Sequence, residues 1–291
     1  MSGHRGTHRR FVPQRTLKNS IYCSGIGLHC GRKVNLTLHP ADPDTGIVFR
    51  RSDLRGGAWE VPARWDNAVE TPLCATLAGP DGERITTIEH LMSALAGCGI
   101  DNVIAELNGP EVPIMDGSAA PFVFLLECAG AVNQNAPRRV VEVIKEVAVV
   151  DAERTISVAP ARRLSITFEI EYDTPLIARQ EWTVDVTQSV YKREIARART
   201  FGFLHEVDQL RRMGLARGGS LDNAVVINGE SVLNEGGLRY HNEFVRHKVL
   251  DLVGDLYLAG GPLLAAVRGI RTGHALTLRL LRALFADPEA W

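Results

Sequence analysis

The chain has 291 residues, a length that predicts one or two domains with a sizeable buried core. Hydrophobic residues make up 45% of the sequence and charged residues 23%, which is typical of an ordinary globular protein. The formal net charge of -1 argues against a partner such as nucleic acid or an acidic surface.

The five cysteines are scattered, and no two of them have the CxxC spacing of a zinc ribbon. Their odd number fits reduced thiols better than a disulfide framework, so we expect a cytoplasmic protein. No apolar run approaches the ~20 residues needed to span a bilayer. We therefore expect neither a signal peptide nor membrane insertion.

The chain begins with a polar segment and continues as strands. Residues 1–14 are basic and lack an apolar period, which predicts a disordered tail. Apolar and polar residues then alternate as in strands at 16–22 and 33–38. The glycine-rich segment 25–31 predicts a hairpin loop, because no helix follows it as in a phosphate-binding fingerprint; whether His29 faces a site is left open. Further short strands are predicted at 47–49, 59–63 and 73–77.

The first strong helical pattern begins near Thr86 and ends at Gly97 or Gly99. Thr86 and Glu89 have the spacing of a capping box, so capping is one interpretation of Glu89 that the sequence leaves open. A strand, a loop and a second apolar helix are predicted next, at 100–107, 110–117 and 118–129.

The polar segment 133–137 predicts a domain boundary, after which strands begin again. Strands are predicted at 140–150, 155–158, 164–172, 181–186, 224–227 and 263–267. Helices are predicted around 188–197, in a short amphipathic stretch from Val207, through 243–256, and from 273 to 285.

The order of elements indicates a duplication. A helix beginning near His90 is followed by a glycine turn, a strand, a loop and Gly117, and the same order runs from His247 to Gly273. We therefore predict an α+β fold of two similar units, 15–135 and 136–291, related by a pseudo-twofold with their helices facing each other. Such an interface would bring His90 and His247 together, and ligand sites favour domain interfaces.

Three polar residues form a stripe on the apolar helix of 243–256. His247, Asp251 and Asp255 are each four residues apart and so lie on one helical face. Because an unpaired buried charge is costly, these groups need partners, and a divalent metal ion is one such partner. A buried salt bridge or a core histidine explains the stripe as well, so the stripe alone leaves the choice open.

Together, His90, His247 and Asp251 have the composition of a catalytic metal site. Two imidazoles and one carboxylate leave a fourth position open for water, whose pKa a bound ion lowers to about 7. Glu89, next to His90, could take the proton of this water as general base. The ligand set suits Zn²⁺ and also Fe²⁺.

Other polar residues could complete the reaction. His274 precedes the last apolar stretch and could return a proton to a departing group, with Asp255 holding it charged and oriented. Lys248 and Thr200 could donate hydrogen bonds to a developing oxyanion. Taken singly, His274, Lys248 and Thr200 are also explained as surface groups.

Five ordered motifs in the chain resemble those of the UDP-3-O-acyl-N-acetylglucosamine deacetylases of Gram-negative bacteria. They are TIEHL at 87–91, PIMDGSA at 113–119, RARTFGF at 197–203, FVRHKVLD at 244–251 and TGHAL at 272–276. The likeness extends over residues 15–291, and residues 1–14 precede the family's usual start. It implies a fold of two β-α-α-β units and an enzyme whose small-molecule substrate is a UDP-sugar carrying an acyl chain. We expect the enzyme to be a monomer, although the sequence does not determine the oligomeric state.

The resemblance also implies an activity and a set of roles. The activity is hydrolysis of the sugar's N-acetyl group in lipid A synthesis, with release of acetate and a free amine. The implied metal ligands are His90, His247 and Asp251, and the implied general base is Glu89. His274 would be the general acid with Asp255 behind it, and Thr200 and Lys248 would contact the reacting or substrate oxygens.

Substrate-binding positions are likewise implied by the resemblance. An insertion at about 203–227 would line a passage for the acyl chain, and Leu73 and Cys74 would form a wall near the metal. The positions predicted to contact substrate are Leu73, Cys74, Phe201, Leu204, Val207, Ser220, Leu221 and Val226. A different metal hydrolase or a metal-free binding module remains as an alternative function.

Overall fold

A computed structural model describes residues 11–54 and 57–291 of the chain. Its strands are β1 (Pro13–Leu17), β2 (Ile21–Ile26), β3 (Lys33–Pro40), β4 (Ile47–Arg51), β5 (Trp59–Pro62), β6 (Ala68–Val69), β7 (Thr76–Ala78), β8 (Arg84–Thr86), β9 (Val103–Leu107), β10 (Ala131–Pro137), β11 (Val141–Glu142), β12 (Val147–Asp151), β13 (Arg154–Pro160), β14 (Ser165–Glu171), β15 (Arg179–Asp185), β16 (Phe201–Phe203), β17 (Val225–Asn228), β18 (Ser231–Val232) and β19 (Leu263–Ile270).

The α-helices are α1 (Glu89–Cys98), α2 (Ala120–Ala129), α3 (Gln188–Val190), α4 (Val207–Arg212), α5 (Glu243–Leu256) and α6 (His274–Ala286). A π-helical turn at Tyr191–Ile195 continues α3, and 3-10 turns at Leu204–Glu206 and Tyr257–Ala259 adjoin α4 and α5. The predicted α+β class is therefore confirmed.

Each half of the chain contributes one larger sheet. In the first half the strand order is β2-β3-β9-β4-β5, and in the second half it is β12-β13-β19-β14-β15. Along both orders the successive pairs are antiparallel, antiparallel, parallel and antiparallel. The short β11 also pairs with β19, in parallel.

Alternation of side chains explains why these strands have a buried face. In β3, Val34, Leu36 and Leu38 point into the core while the residues between them face outward. The two central partners of the second sheet follow the same rule, with Ile156 and Val158 of β13 buried beside Val267 of β19. Each sheet therefore supplies one apolar face for helices to cover.

Helices α1 and α5 pack directly against each other between the halves. Their backbones approach closely at Gly254, where a Cβ atom would collide with the carbonyl oxygen of Glu89. Every residue of α5 except Lys248 is buried. The polar stripe predicted on this helix consequently lies inside the protein and faces α1.

The predicted capping box at the start of α1 is wrong. The helix begins at Glu89, its preceding residue Ile88 makes no side-chain cap, and Thr87 has a positive φ of 57°. The Glu89 carboxylate instead accepts a hydrogen bond from the backbone N–H of Ala75 at 3.0 Å. The helix ends at Gly99, one of the two glycines predicted to end it, and Gly99 has the left-handed conformation of a helix C-cap, with φ of 68°.

The predicted domain boundary at 133–137 and the end of the predicted tail at 1–14 both coincide with strands. The segment 133–137 lies within β10, which pairs with β1 in an antiparallel ladder. Strand β1 begins at Pro13, and the buried Gln14 donates to Asp44 at 2.9 Å and accepts from Asn102 at 2.8 Å. Residues 1–10 of the predicted tail lie outside the described residues.

The segment 203–227, predicted to be an insertion, contains the Leu204–Glu206 turn and α4, and it connects β16 to β17 of the small sheet β16-β17-β18. Its segment 216–218 lies on the glycine-rich loop of the first half. The backbone N–H of Gly218 donates to Leu28 O at 2.9 Å, and that of Arg217 donates to His29 O at 3.3 Å. None of the helices described is long and apolar enough to cross a membrane.

Candidate metal centre and active site

Helices α1 and α5 bring three side chains with metal-binding atoms to one point. His90 Nε2 lies 3.4 Å from Asp251 Oδ1, and His247 Nε2 lies 3.3 Å from the same oxygen. All three side chains are buried, and their ligand atoms lie within 4.8 Å of one another. His247 and Asp251 are four residues apart on α5, so one helical face presents both.

The second ring nitrogen of His247 is fixed by the backbone. Its Nδ1 lies 3.0 Å from the carbonyl oxygen of Ala198, which accepts a hydrogen bond only if Nδ1 carries the proton. Burial lowers the pKa of His247 to about 3, so the imidazole is neutral at ordinary pH. Nε2 is therefore left as a lone-pair donor that points at Asp251, as a metal ligand requires.

An unpaired polar atom fits a cation at this point. Asp251 Oδ1, which both imidazoles approach through Nε2, is buried without a hydrogen-bond partner among the described residues. Burial alone would raise the pKa of Asp251, but His247 and Lys248 lower it well below its ordinary value. A buried, charged and unpaired carboxylate oxygen between two imidazole nitrogens is costly without a cation. The donor set therefore fits a divalent metal ion.

Lys248 lies at the edge of this cluster. Its Nζ donates to Asp251 Oδ2 at 3.0 Å, which occupies the carboxylate oxygen that the two imidazoles do not approach. The side chain is 24% exposed, so the ammonium group can also reach a molecule outside the protein. It also lies 5.6 Å from the ring centre of Phe201. This position suits a donor to a substrate oxygen.

Glu89 is buried beside the three potential ligands. Its Oε2 is held by the N–H of Ala75, and its Oε1 lies 3.8 Å from His274 Nε2. Burial raises the pKa of the Glu89 carboxyl above its ordinary value, so this group can accept a proton more readily than an exposed glutamate. One oxygen is thus held by the backbone while the other faces the centre of the cluster.

His274, the first residue of α6, forms a close pair with Asp255. Its Nδ1 lies 2.8 Å and 3.0 Å from the two carboxylate oxygens of Asp255. Burial lowers the pKa of His274, but the Asp255 and Glu89 carboxylates outweigh that effect and raise the pKa to about 10. The imidazolium is therefore the form present near neutral pH, with Nε2 directed toward Glu89.

The RARTFGF segment lies against the face of α5 that carries His247, since the carbonyl oxygen of Ala198 contacts His247 Nδ1. Thr200 is half-buried, and its backbone N–H donates to Gly117 O at 2.8 Å. This hydrogen bond ties the PIMDGSA loop of the first half to the second half. Phe201 packs edge-on against Phe244, with ring centres 5.0 Å apart, and lies 6.4 Å from the ring of His247.

The remaining predicted contact residues differ in their exposure. Leu73 is 56% exposed with φ of 68°, whereas Cys74 is buried and lines a small cavity with Asp255 and His274. In the insertion, Val207 and Val226 are half-buried, and the others are exposed: Leu204, Ser220 and Leu221. Apolar side chains that face solvent in this way can contact an acyl chain without rearrangement of the core.

His29 of the glycine-rich loop is held toward the same region. Burial and the charge of His274 lower its pKa, although Glu111 opposes them. The buried Glu111 carboxylate accepts from the backbone N–H groups of His29 and Cys30, each at 2.8 Å, and from Thr87 Oγ1 at 2.9 Å. The Glu111 carboxylate thus connects the glycine-rich loop to Thr87, which lies two residues before Glu89.

Sequence reasoning missed two buried carboxylates near the site, Glu111 and Glu243. Glu243 lies four residues before His247, so extending the polar stripe by one helical turn would have found it. Glu111 lies between a glycine-proline turn and a short loop, and no period or spacing in the sequence marks it.

The sequence is similar to those of known deacetylases. The sequence model of a family described as UDP-3-O-acyl N-acetylglycosamine deacetylase matches residues 14–286. A UDP-3-O-acyl-N-acetylglucosamine deacetylase of Acidithiobacillus ferrooxidans is 55% identical over 282 residues, which is 96% of this chain and 92% of that protein. Proteins of the same name from Stenotrophomonas maltophilia and Hahella chejuensis are 51% and 49% identical, each over 96% of this chain and over 92% and 93% of their own length.

Proposed function

The chain belongs to the family of UDP-3-O-acyl N-acetylglycosamine deacetylases, and on this premise we propose the reaction that it catalyses. It hydrolyses the N-acetyl group of UDP-3-O-(3-hydroxyacyl)-N-acetylglucosamine and releases acetate and a free amine for lipid A synthesis. The observation that carries the proposal is the convergence of His90, His247 and Asp251 beside Glu89 and His274.

In this proposal His90, His247 and Asp251 hold one divalent metal ion, with Zn²⁺ as the first choice and Fe²⁺ as the alternative. When bound, the ion polarises the amide carbonyl and lowers the pKa of the attacking water. The neutral His247 and the charged Asp251 are the protonation states that such binding needs.

Glu89 is the proposed general base. Its Oε1 is free of backbone contacts and lies within the cluster, whereas its Oε2 is fixed by Ala75 N–H. The raised pKa brings the proton affinity of this carboxylate closer to that of the water it must deprotonate. Glu89 takes one proton from water as the oxygen attacks the acetamide carbonyl carbon.

His274 is the proposed general acid. The departing amine nitrogen needs a proton as the C–N bond breaks, and His274 Nε2–H supplies it. Asp255 holds the imidazolium from the other side, which keeps it charged until this step. His274 Nε2 and Glu89 Oε1 are 3.8 Å apart, so return of the proton from Glu89 to His274 after the reaction requires the two side chains to move closer or one water molecule to bridge them.

Lys248 and Thr200 are proposed to contact the reacting or substrate oxygens. The ammonium group of Lys248 is held by Asp251 but stays partly exposed, and the half-buried Thr200 lies next to Phe201 at the same edge. Donors held in advance at the place where negative charge develops can lower the barrier of acyl transfer.

The insertion at 203–227 is proposed to bind the acyl chain. Its exposed Leu204 and Leu221 and half-buried Val207 and Val226 provide apolar surface, and Phe201 connects that surface with the metal-binding helix. Ser220, Leu73 and Cys74 complete the proposed contact set. An exposed apolar lining favours a lipid-bearing substrate over a peptide.

We also propose that the two halves arose by duplication, which the shared succession of strand pairs in the two larger sheets supports. The monomeric state and the cytoplasmic location remain predictions from the sequence. Five free cysteines support the predicted location.

Product analysis tests the proposed reaction. Purified protein is incubated with the UDP-linked acylated sugar, and acetate and the free amine are quantified with and without a chelator. We expect equimolar products in the untreated sample, loss of both after chelation, and recovery on addition of Zn²⁺. A protein that holds no divalent ion and releases no acetate would be a binding module instead.

A further inference from the structure

Glu243, the first residue of α5, has a fully buried carboxylate. Its Oε1 accepts hydrogen bonds from the backbone N–H and from Nε of Arg199, both at 2.9 Å. Its Oε2 accepts from Arg199 Nη2 at 3.1 Å and from the backbone N–H of Arg239 at 2.6 Å. No step of the proposed reaction uses this carboxylate, yet burying a charge requires this many partners to be tolerated.

The peptide unit between Ala198 and Arg199 connects Glu243 to the metal centre. Its N–H donates to Glu243 Oε1, and its carbonyl oxygen accepts the Nδ1–H of His247 at 3.0 Å. Both groups belong to one planar, conjugated amide, in which a strong hydrogen bond at N–H makes the oxygen a better acceptor. Carboxylate, amide and imidazole therefore form one continuous chain of hydrogen bonds.

We propose that Glu243 is a positioning residue that sets the orientation and basicity of His247 through this peptide unit. A ligating histidine usually donates its second ring N–H to a carboxylate or a carbonyl, which fixes the tautomer and raises the basicity of the ligand. Here the carbonyl of Ala198 is the direct partner, and the Glu243 carboxylate acts on it from the far end of the amide. The inference rests on the proposed metal site.

The helix makes this arrangement possible. Glu243 and His247 are four residues apart on α5, so both side chains leave the same face and reach opposite ends of the same peptide unit. The guanidinium of Arg199 neutralises the carboxylate and also donates to Gly237 O at 2.7 Å, but it has no part in the chain from carboxylate to imidazole. The two partners of this ion pair should therefore differ in their effect on the metal.

Two variants of the ion pair separate positioning from general stability. Glu243→Gln removes the charge and turns one acceptor oxygen into a donor that faces an N–H group. We expect its dissociation constant for zinc to rise about tenfold, since loss of a hydrogen-bond partner of a ligand typically weakens metal binding by about 10–100-fold. Arg199→Lys keeps the positive charge and the backbone N–H, so we expect a lower melting temperature with a zinc dissociation constant within about twofold of the wild-type value.

Chelator competition on the purified full chain, with Zn²⁺ as the probe, measures these constants. Equal weakening in both variants, or unchanged affinity in Glu243→Gln, would overturn the role assigned to Glu243. If the wild-type protein itself did not bind zinc, the proposed function would fail, and that outcome is distinct from either of the others.

A measurement on the wild-type protein covers the case in which Glu243→Gln does not fold. With ¹⁵N-labelled histidine in the zinc-loaded protein, the Nδ1–H proton of His247 should resonate downfield and exchange slowly with solvent. His90 is the internal reference, because its Nδ1 has no hydrogen-bond partner among the described residues. A His247 Nδ1–H proton that resonated no further downfield than that of His90 would show that the Ala198 carbonyl does not accept this hydrogen bond and that the chain of hydrogen bonds is absent.

Discussion

The α1–α5 interface and the insertion at 203–227 differ in how they hold the residues proposed for catalysis and for substrate binding. In α5 every residue except Lys248 is buried, whereas in α4 of the insertion none is. Burial shifts the pKa values of Glu89 and His247 in the interface, while the apolar groups of the insertion face solvent. We assign catalysis to the buried α1–α5 interface and substrate contact to the exposed insertion. This matches the general pattern in which binding residues lie on loops held by a rigid scaffold.

Loss of a metal ligand should have the largest effect. We expect His247→Ala to lose both bound metal and measurable turnover, because the remaining imidazole and carboxylate give too few ligands for tight binding. Metal content of the purified variant and acetate release measure the two losses. Turnover that persisted without metal would place the reaction elsewhere than in the α1–α5 interface.

Glu89→Ala separates chemistry from metal binding in the same interface. The proposed base is not a ligand, so the variant should retain the metal and lose turnover by about 10²–10⁴-fold. Metal analysis beside steady-state kinetics checks both halves of this expectation. Full hydrolysis in this variant would refute the role of Glu89 as base.

The His274–Asp255 pair predicts a pH dependence. A general acid must be protonated, so kcat/KM should fall as pH rises through the pKa of His274, which its neighbours raise to about 10. His274→Gln should lower kcat/KM by about 100-fold or more and remove this alkaline limb. An alkaline limb unchanged in the variant would belong to another group.

The same raised pKa affects stability. Because the folded protein binds the His274 proton more tightly than the unfolded chain does, its contribution is fully present below the ordinary histidine value. The contribution is lost as pH rises through about 10. Thermal unfolding of the wild-type protein should therefore shift to lower temperature over this alkaline range, and the His274→Gln variant should show a smaller shift.

Close packing can be tested with two glycines, one in the α1–α5 interface and one in strand β16, next to the insertion. A Cβ at Gly254 would meet the Glu89 carbonyl and the Ser93 backbone nitrogen, so Gly254→Ala must push α1 and α5 apart. We expect it to lower the free energy of unfolding by about 1–3 kcal/mol and to weaken metal binding. Gly202→Ala, where no atom lies within 4 Å of the added Cβ, is the matched control and should leave metal binding unchanged.

Differential scanning calorimetry and chelator competition measure the two glycine variants. If Gly254→Ala bound metal as tightly as Gly202→Ala, the distance between α1 and α5 would not control the site. The proposal that the two helices share one metal ion would then lose its main structural support.

How much the sequence predicted also differs between the two regions. The α5 helix and its stripe were predictable because polar groups at a spacing of four stand out on a helix that is otherwise apolar. Residues in the insertion had no such period, and they were assigned by resemblance to a family alone. Exposed apolar side chains such as Leu221 carry no local pattern that separates a binding surface from an ordinary one.

The features that the sequence did not predict share a physical cause, which is a partner distant in the sequence. Glu89 has the spacing of a capping residue, but its carboxylate is held by Ala75, which precedes it by the two strands β7 and β8. The polar segment 133–137 forms β10 because β1 offers a free edge from the beginning of the chain. Glu243 was overlooked because its partners, the N–H groups of Arg199 and Arg239, become neighbours only in the fold.

The smallest expected effect concerns the insertion. Leu221 is 48% exposed, so Leu221→Ser should change the free energy of unfolding by less than about 0.5 kcal/mol. If the acyl chain covers this side chain, loss of the contact should cost about 1 kcal/mol of binding, a roughly fivefold fall in kcat/KM for a long-chain substrate. A substrate with a truncated acyl chain should be hydrolysed equally by the wild-type protein and the variant.

Met213 provides the matched control in the same insertion. It is 62% exposed and is not among the proposed contact residues, so Met213→Ser removes a similar apolar surface without touching the acyl chain. Steady-state kinetics with the long and the truncated substrate should show an effect of Leu221→Ser with the long chain alone and no effect of Met213→Ser. Equal responses of the two variants would mean that the acyl chain does not follow Leu221, and the division between a catalytic interface and a lipid-binding insertion would need a different boundary.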